Sequence, residues 1–277
     1  MHTRARITKA WAYISFTLTV AVIAFLFIYV FTSGFSVISW QFITDVPRGS
    51  VLGSEGGIWP AIVGSVWFTL TALILGGIPA VATAVYVVYC CRSSWFEKFI
   101  HTIMQSIAGI PSIVLGLFSY SLLVRTLGFG RCILSGGIAL AIMILPFIET
   151  RTEKAMRELP KETIFESYAL GCSRLYTILH IVFPAIKGEL VSGLILGGCF
   201  AMGATAPLIF TGGVAFASVP NTVMEPAMAL PLHLYLLLAQ GTSMPQAYGT
   251  AFVLMLIVLV TNIIATFYSR RKKRRWK

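Results

Sequence analysis

Charge is what this sequence has least of. Asp, Glu, Lys and Arg make up 11% of its 277 residues, while 57% are hydrophobic; a soluble domain carries roughly 25% charged residues. That deficit excludes an ordinary soluble globule and makes the membrane the solvent. Also missing is a Gly-rich loop ending in Gly-Lys-Ser/Thr. Lys187-Gly188 reverses the order that a phosphate-cradling loop requires, so no nucleotide-hydrolysing site is expected in the chain. No His-Glu-x-x-His is present, and Glu149, Glu153, Glu158, Glu162 and Glu166 share their segment with basic residues, as on a solvated helical face. Neither a catalytic residue nor a metal ligand set is therefore expected. Cysteine is scarce and odd in number, five in all, which supports neither a disulfide framework nor a zinc site.

What is present is a series of long uncharged runs: Ala10 to Thr44, Gly56 to Cys91, Phe99 to Val124, Cys132 to Ile148, Leu190 to Met224 and Pro226 to Ser269. About 20 apolar residues rising ~1.5 Å each cross a hydrocarbon core of ~30 Å, so each run holds one spanning helix, six in total. The last run is interrupted by Gly241 to Gln246, which predicts a half-buried outer segment followed by a span from about Tyr248 to Tyr268. The fold class expected is an all-α polytopic membrane protein. Spans two, three, five and six hold no carboxylate and no basic side chain besides His, which leaves a self-sufficient secondary transporter without coupling charges.

Orientation follows from the basic residues. With the N-terminus inside, eighteen of the 21 Lys and Arg fall on inner segments, leaving Arg48, Arg125 and Arg131 outside. Both termini are therefore expected in the cytoplasm. The net charge of +11 sits beside the spans, and the tail from Arg270 directly follows one, which favours anionic membrane lipid over nucleic acid as the partner. The first basic and apolar segment is too long for a signal-peptide core and is expected to remain as a span.

Pro79, Pro111, Pro146 and Pro207 fall one apiece in spans two to five, marking the four middle spans as the working part. Gly193, Gly197 and Ala201 recur every fourth residue in span five, a small-residue stripe for internal packing or for a seam with a second subunit. The segment from Glu149 to Lys187 is too patterned for a plain connector. Pro160 starts a helix whose apolar side is Ile164, Phe165, Tyr168 and Ala169; Gly171 ends it; Ser173 caps a second helix, and Pro184 stops that one. A helix, elbow and helix should project on the cytoplasmic side.

The stretch Phe165-Glu166-Ser167-Tyr168-Ala169-Leu170-Gly171, then nine residues, then Ile181-Val182-Phe183-Pro184, resembles the E-A-A-x3-G-x9-I-x-L-P loop of ABC importer permeases. Phe165 stands at the Glu position of that pattern. Gly57 to Ser65, Ala108 to Phe118, Leu127 to Gly130, Thr205 to Leu208 and Ala229 to Pro231, in that order, are similar to the A-type permease subunits of phosphate-specific ABC importers. The resemblance implies a type I importer permease fold with a first helix and outer loop over 1–57, a permease domain over 58–268 with its coupling loop at about 150–187, and a basic tail at 269–277. It implies Glu166, Ser167, Ala169, Gly171, Ile181 and Pro184 as the ATPase-coupling loop. It further implies a homologous sister permease, two copies of an ABC ATPase that uses the ATP, an extracytoplasmic phosphate-binding protein, and a prokaryotic inner membrane as the location. No cofactor is expected on the chain itself.

In one place the sequence departs from that family. Cys199 to Leu208 corresponds to a stretch like A-R-A-I-G-E-T-A-P-L, so Phe200 replaces an Arg and Ala204 a Glu. Either phosphate is selected elsewhere in the assembly or the cargo is a related oxyanion. Among uncharged polar groups in the spans, Ser112 and Thr205 are the candidates for the translocation path, because each lies near an intramembrane proline.

Overall fold

The computed structural model describes residues 2–49, 52–53 and 55–273; the last four residues of the basic tail lie outside them. Uncharged runs become helices because lipid offers the backbone no hydrogen-bonding partner, so each N–H must find a carbonyl within its own segment. A long α1 (His2–Gly34) and a short α2 (Trp40–Thr44) come first. Next, α3 (Trp59–Ala72) passes through a π-helical turn (Leu73–Gly77) into α4 (Ile78–Val85) and a second π turn (Tyr86–Cys90). They are followed by α5 (Ser94–Gly109), α6 (Ser112–Ser119) with a π extension (Tyr120–Thr126), and α7 (Ile133–Arg157). The elbow helices are α8 (Lys161–Ala169) and α9 (Arg174–Thr177), the latter running through a π turn (Ile178–Val182) into α10 (Phe183–Gly203). Last come α11 (Ala206–Thr211), α12 (Leu230–Gln240) and α13 (Met244–Lys273).

Five helices among the described residues are long and apolar enough to cross a membrane, and six if the bent pair α5–α6 is one span. The helix expected for the third uncharged run is thus a pair of helices bent against each other. At Ile110–Pro111 the axis turns by 99°, because the residue before a proline is pushed out of the helical region, and Ile110 is extended with ψ 127°.

The other prolines act differently. Pro184 does not stop its helix. The π turn ahead of it widens the ladder, with the Phe183 N–H donating to the Ile178 carbonyl five residues back, and the chain continues as one helix to Gly203. A π turn also precedes Pro79, whereas Pro146 sits inside an unbroken α7. A ring that removes one i→i−4 bond is thus absorbed where a π turn precedes it. Pro207 belongs to α11, beyond a break at Ala204 and Thr205, and not to the fifth span.

The core centres on α7, which packs on α3, α4, α5, α6, α10 and α11. Phe68, Ala72, Ile133, Leu140, Ile144, Ile148, Ala201 and Leu208 form its buried cluster. Close approach sets the geometry: a Cβ at Gly76 would stand 2.7 Å from the Ala141 carbonyl oxygen, and one at Gly197 would stand 2.8 Å from the Ile148 side chain. The small-residue stripe of α10 therefore serves internal packing against α7. At the other end of the bundle, Arg131 donates to the carbonyls of Ile209 and Gly213, and the Leu230 N–H donates to Ser65 Oγ at 2.8 Å, tying the loops on either side of α11 to the core.

Candidate functional site

Two features carry polar or exposed chemistry, and both draw on α7. The first is the elbow between α8 and α9. Pro160 precedes α8, and Gly171, with φ +80°, ends it in a conformation that side-chain-bearing residues rarely adopt. The Cys172 N–H closes the turn on the Ser167 carbonyl at 3.1 Å. Ser173 then caps α9, its hydroxyl accepting from the Tyr176 N–H at 3.3 Å. Inside the elbow, the hydroxyls of Ser167 and Thr177 meet at 2.7 Å, both buried. This clasp fixes the angle between the two helices.

The apolar side expected for α8 faces outward: Phe165 is 67% exposed and Leu170 83%, joined by Leu175 at 67% on α9. A short, internally bonded knob with large apolar side chains on its outside is suited to docking. Of the residues expected in the coupling loop, Glu166, Ala169 and Gly171 lie on this outer surface, and the Glu166 carboxylate makes no ion pair among the described residues. Ser167 lies inside, Ile181 is half-buried, and Pro184 is exposed on the helix that leads away. The root of the elbow is a small cluster of Ala155, Met156, Val182 and Ile186.

Beside that root stands an ion-pair network which the sequence reading places on a solvated face. Arg157 donates through Nε to Glu153 and through Nη2 to Glu97, each at 2.6 Å, and His101 Nε2 lies 3.5 Å from Glu153. Glu153 is 7% exposed and Glu149 is wholly buried, with Thr150 Oγ1 donating to one of its oxygens at 3.4 Å and the other unpartnered. The solvated-face reading is corrected here: α7 extends to Arg157, about two and a half turns beyond the end of the uncharged run at Ile148, and carries its first two glutamates into the bundle. Burying them is costly, and the Arg157 guanidinium offsets that cost in part for Glu153, which it bonds together with Glu97. Glu97, His101 and Glu153 offer three ligand atoms within 4.8 Å of one another, but Arg157 already bonds both carboxylates.

The second feature is a cavity of about 680 Å³ between α5, α6, α7 and Phe200 of α10. The bend at Pro111 opens it, since it turns α6 away from the axis of α5. Ser112 lines the cavity as expected for a path residue, whereas Thr205 does not and sits ahead of α11. Ser106 and Asn262, two other polar groups of the spans, bond back to carbonyls of their own helices. Sequence reasoning missed Arg151, which lines this cavity beside Phe147. Its only visible signal was a basic residue four positions after an aromatic one on a helix that outlasts its uncharged run.

A family model described as binding-protein-dependent transport system inner membrane component matches residues 80–274. The chain is 34% identical to a probable phosphate transport system permease protein PstA of Methanocaldococcus jannaschii, over 74% of this chain and 73% of that one. It is 30% identical to a probable ABC transporter permease protein YqgI of Bacillus subtilis, over 88% of each. With a phosphate transport system permease protein PstA of Mycobacterium leprae it shares 31% identity over 77% of this chain and 70% of that one. Among solved structures, an inward-facing MetNI methionine ABC transporter aligns with a TM-score of 0.62 at 16% identity, over 78% of this chain and 97% of that one. A bacterial ABC transporter that imports alginate aligns with a TM-score of 0.53 at 15% identity, over 98% and 99%. The fold is thus that of the type I ABC importer permeases, and from α4 to the end of α13 the match is continuous. This chain belongs to the binding-protein-dependent transport system inner membrane components.

Proposed function

We propose that this chain is the permease subunit of an ATP-driven importer that moves inorganic phosphate across the inner membrane of a prokaryote. The observation that carries the reading is the likeness, at 30% identity or more and over most of both chains, to proteins named as phosphate transport permeases. The chain supplies half of a pathway and pairs with a homologous sister permease. Each permease bears on one of two ATPase copies, which use the ATP, and an extracytoplasmic phosphate-binding protein delivers the anion. Both termini and the elbow face the cytoplasm, as the distribution of Lys and Arg favours.

The elbow is the part that transmits force. Phe165, Leu170 and Leu175 dock in the ATPase, Glu166 and Ala169 border the contact, and Gly171 permits the reversal between α8 and α9. Because the Ser167–Thr177 clasp stiffens the knob and α10 continues from it without a break, a displacement of the elbow becomes a displacement of α10. A second reading, a related oxyanion as the cargo, is favoured by Phe200, which stands where the phosphate permeases that the chain resembles carry an Arg.

The test is uptake of radiolabelled phosphate by vesicles containing this chain with its sister permease, ATPase and binding protein. ATP-dependent phosphate accumulation is expected; accumulation of sulfate or another oxyanion with no phosphate uptake would replace the first reading by the second. Deleting 167–171 should abolish co-purification with the ATPase while membrane insertion continues, and unchanged co-purification would remove the elbow from the coupling role.

A further inference from the structure

The cavity between α5, α6, α7 and α10 holds the guanidinium of Arg151, which no carboxylate among the described residues neutralises. Arg151 makes no hydrogen bond and no ion pair among the described residues. Its Cζ lies 5.5 Å from the centre of the Phe147 ring, and that ring is 6.4 Å from the ring of Phe200. Phe147 and Arg151 are four residues apart and share one face of α7, the face that lines the cavity. The adjacent carboxylates are turned away from it. Glu149 lies about 200° around the helix from Arg151 at ~100° per residue, and it is wholly buried on the core side.

A comparison within α7 sharpens the point. Arg157, a turn and a half further on, is committed to Glu97 and Glu153 at 2.6 Å each, so it neutralises local charge and nothing else. Arg151 has only an aromatic face, which stabilises a cation but leaves the in-plane N–H donors of the fork free. Those donors match two oxygens of a tetrahedral or trigonal oxyanion. The same cavity presents the Gln105 amide and the Ser112 hydroxyl, neither of which has a side-chain partner among the described residues.

We propose that this cavity is an oxyanion-binding site, with Arg151 as its cation and Gln105 and Ser112 as its neutral donors, on the elbow side of the bend at Pro111. The inference rests on the reading of the chain as an anion-importer permease and adds to it where the anion meets charge. Phe147 and Phe200 form an apolar wall beside the guanidinium, and both rings are themselves partly exposed, at 39% and 55%. A lipid headgroup offers the same phosphate chemistry as the free ion, so the experiment separates the two.

The assembled transporter is reconstituted in vesicles of zwitterionic phosphatidylcholine, and R151Q and R151K are compared with the wild type. With R151Q, maximal phosphate uptake should fall about tenfold or more, while the external half-saturation concentration stays within about twofold, because capture belongs to the binding protein. R151K should recover at least about a third of the wild-type rate, since the charge returns without the fork. Co-purification of each variant with the ATPase establishes that it folds and assembles. Uptake by R151Q within about twofold of the wild type overturns the proposal, as does an R151K defect equal to that of R151Q in an intact assembly. A defect confined to vesicles containing anionic phosphatidylglycerol assigns the guanidinium to lipid and also overturns it. If the wild type carries sulfate and not phosphate, the phosphate reading falls while the same variants, measured on sulfate, decide the site.

Discussion

Helices α1 and α7 are both long and apolar, yet they occupy opposite places in the molecule. The more hydrophobic of the two, α1, with a mean hydropathy of 2.5, has none of its apolar window buried, whereas α7, at 1.9, has 61% buried. In water the order would be reversed. In a membrane, lipid satisfies an apolar surface as well as a neighbouring helix does, so hydrophobicity does not select the core; small residues and polar partners do. Around α7 those are the glycines at 76 and 197 and the ion pairs of Arg157. Helix α1 touches the bundle chiefly along α13, where Gly34 meets the backbone at Tyr248 and the hydroxyls of Tyr29 and Tyr248 lie 3.2 Å apart.

The contrast yields ordered expectations. The largest effect belongs to G76V, because the obstacle there is the Ala141 backbone, which cannot rotate aside; overpacking of this kind should cost about 3 kcal/mol or more, seen as loss of monodisperse protein on size-exclusion chromatography in detergent. A well-folded G76V protein would break the picture of α7 as a close-packed axis. R157A comes next. It strands Glu153 and the more exposed Glu97 without their cation and should destabilise by about 2 kcal/mol in thermal unfolding, whereas a loss below ~0.5 kcal/mol would place the network in the class of exposed pairs.

S167A and T177V should each cost about 1 kcal/mol, and the double substitution should cost less than their sum, because they remove one shared bond. Strict additivity in that cycle would mean that no clasp joins α8 to α9. Smallest of all is F25L on the exposed face of α1, expected within about 0.5 kcal/mol of the wild type by the same melting measurement. A larger loss there would mean that α1 meets a protein surface and not lipid.

Much of the elbow was legible in the sequence, because its signals are local. Pro160 before a helix, Gly171 after it and Ser173 as the cap of the next are each a backbone requirement of a single residue, and each stands where expected. Pro184 was misleading for a related reason: its missing N–H is a local fact, but the π turn that accommodates it depends on five preceding residues in a packed helix. The glutamates show the same limit. Glu149, Glu153 and Glu162 look alike in sequence, yet two are drawn into the bundle and the third is exposed, since α7 continues past its uncharged run against α5.

The sequence by itself determined an all-α membrane protein of several spans, the elbow and its capping residues, and the expected orientation, because each depends on composition or on one residue's backbone preference. Tertiary structure alone decided which helix is central, that the third span is bent open at Pro111, and that, among the described residues, Arg157 has carboxylate partners and Arg151 has none. Those outcomes depend on which surfaces meet across the bundle, and no run of neighbouring residues along the chain carries that information.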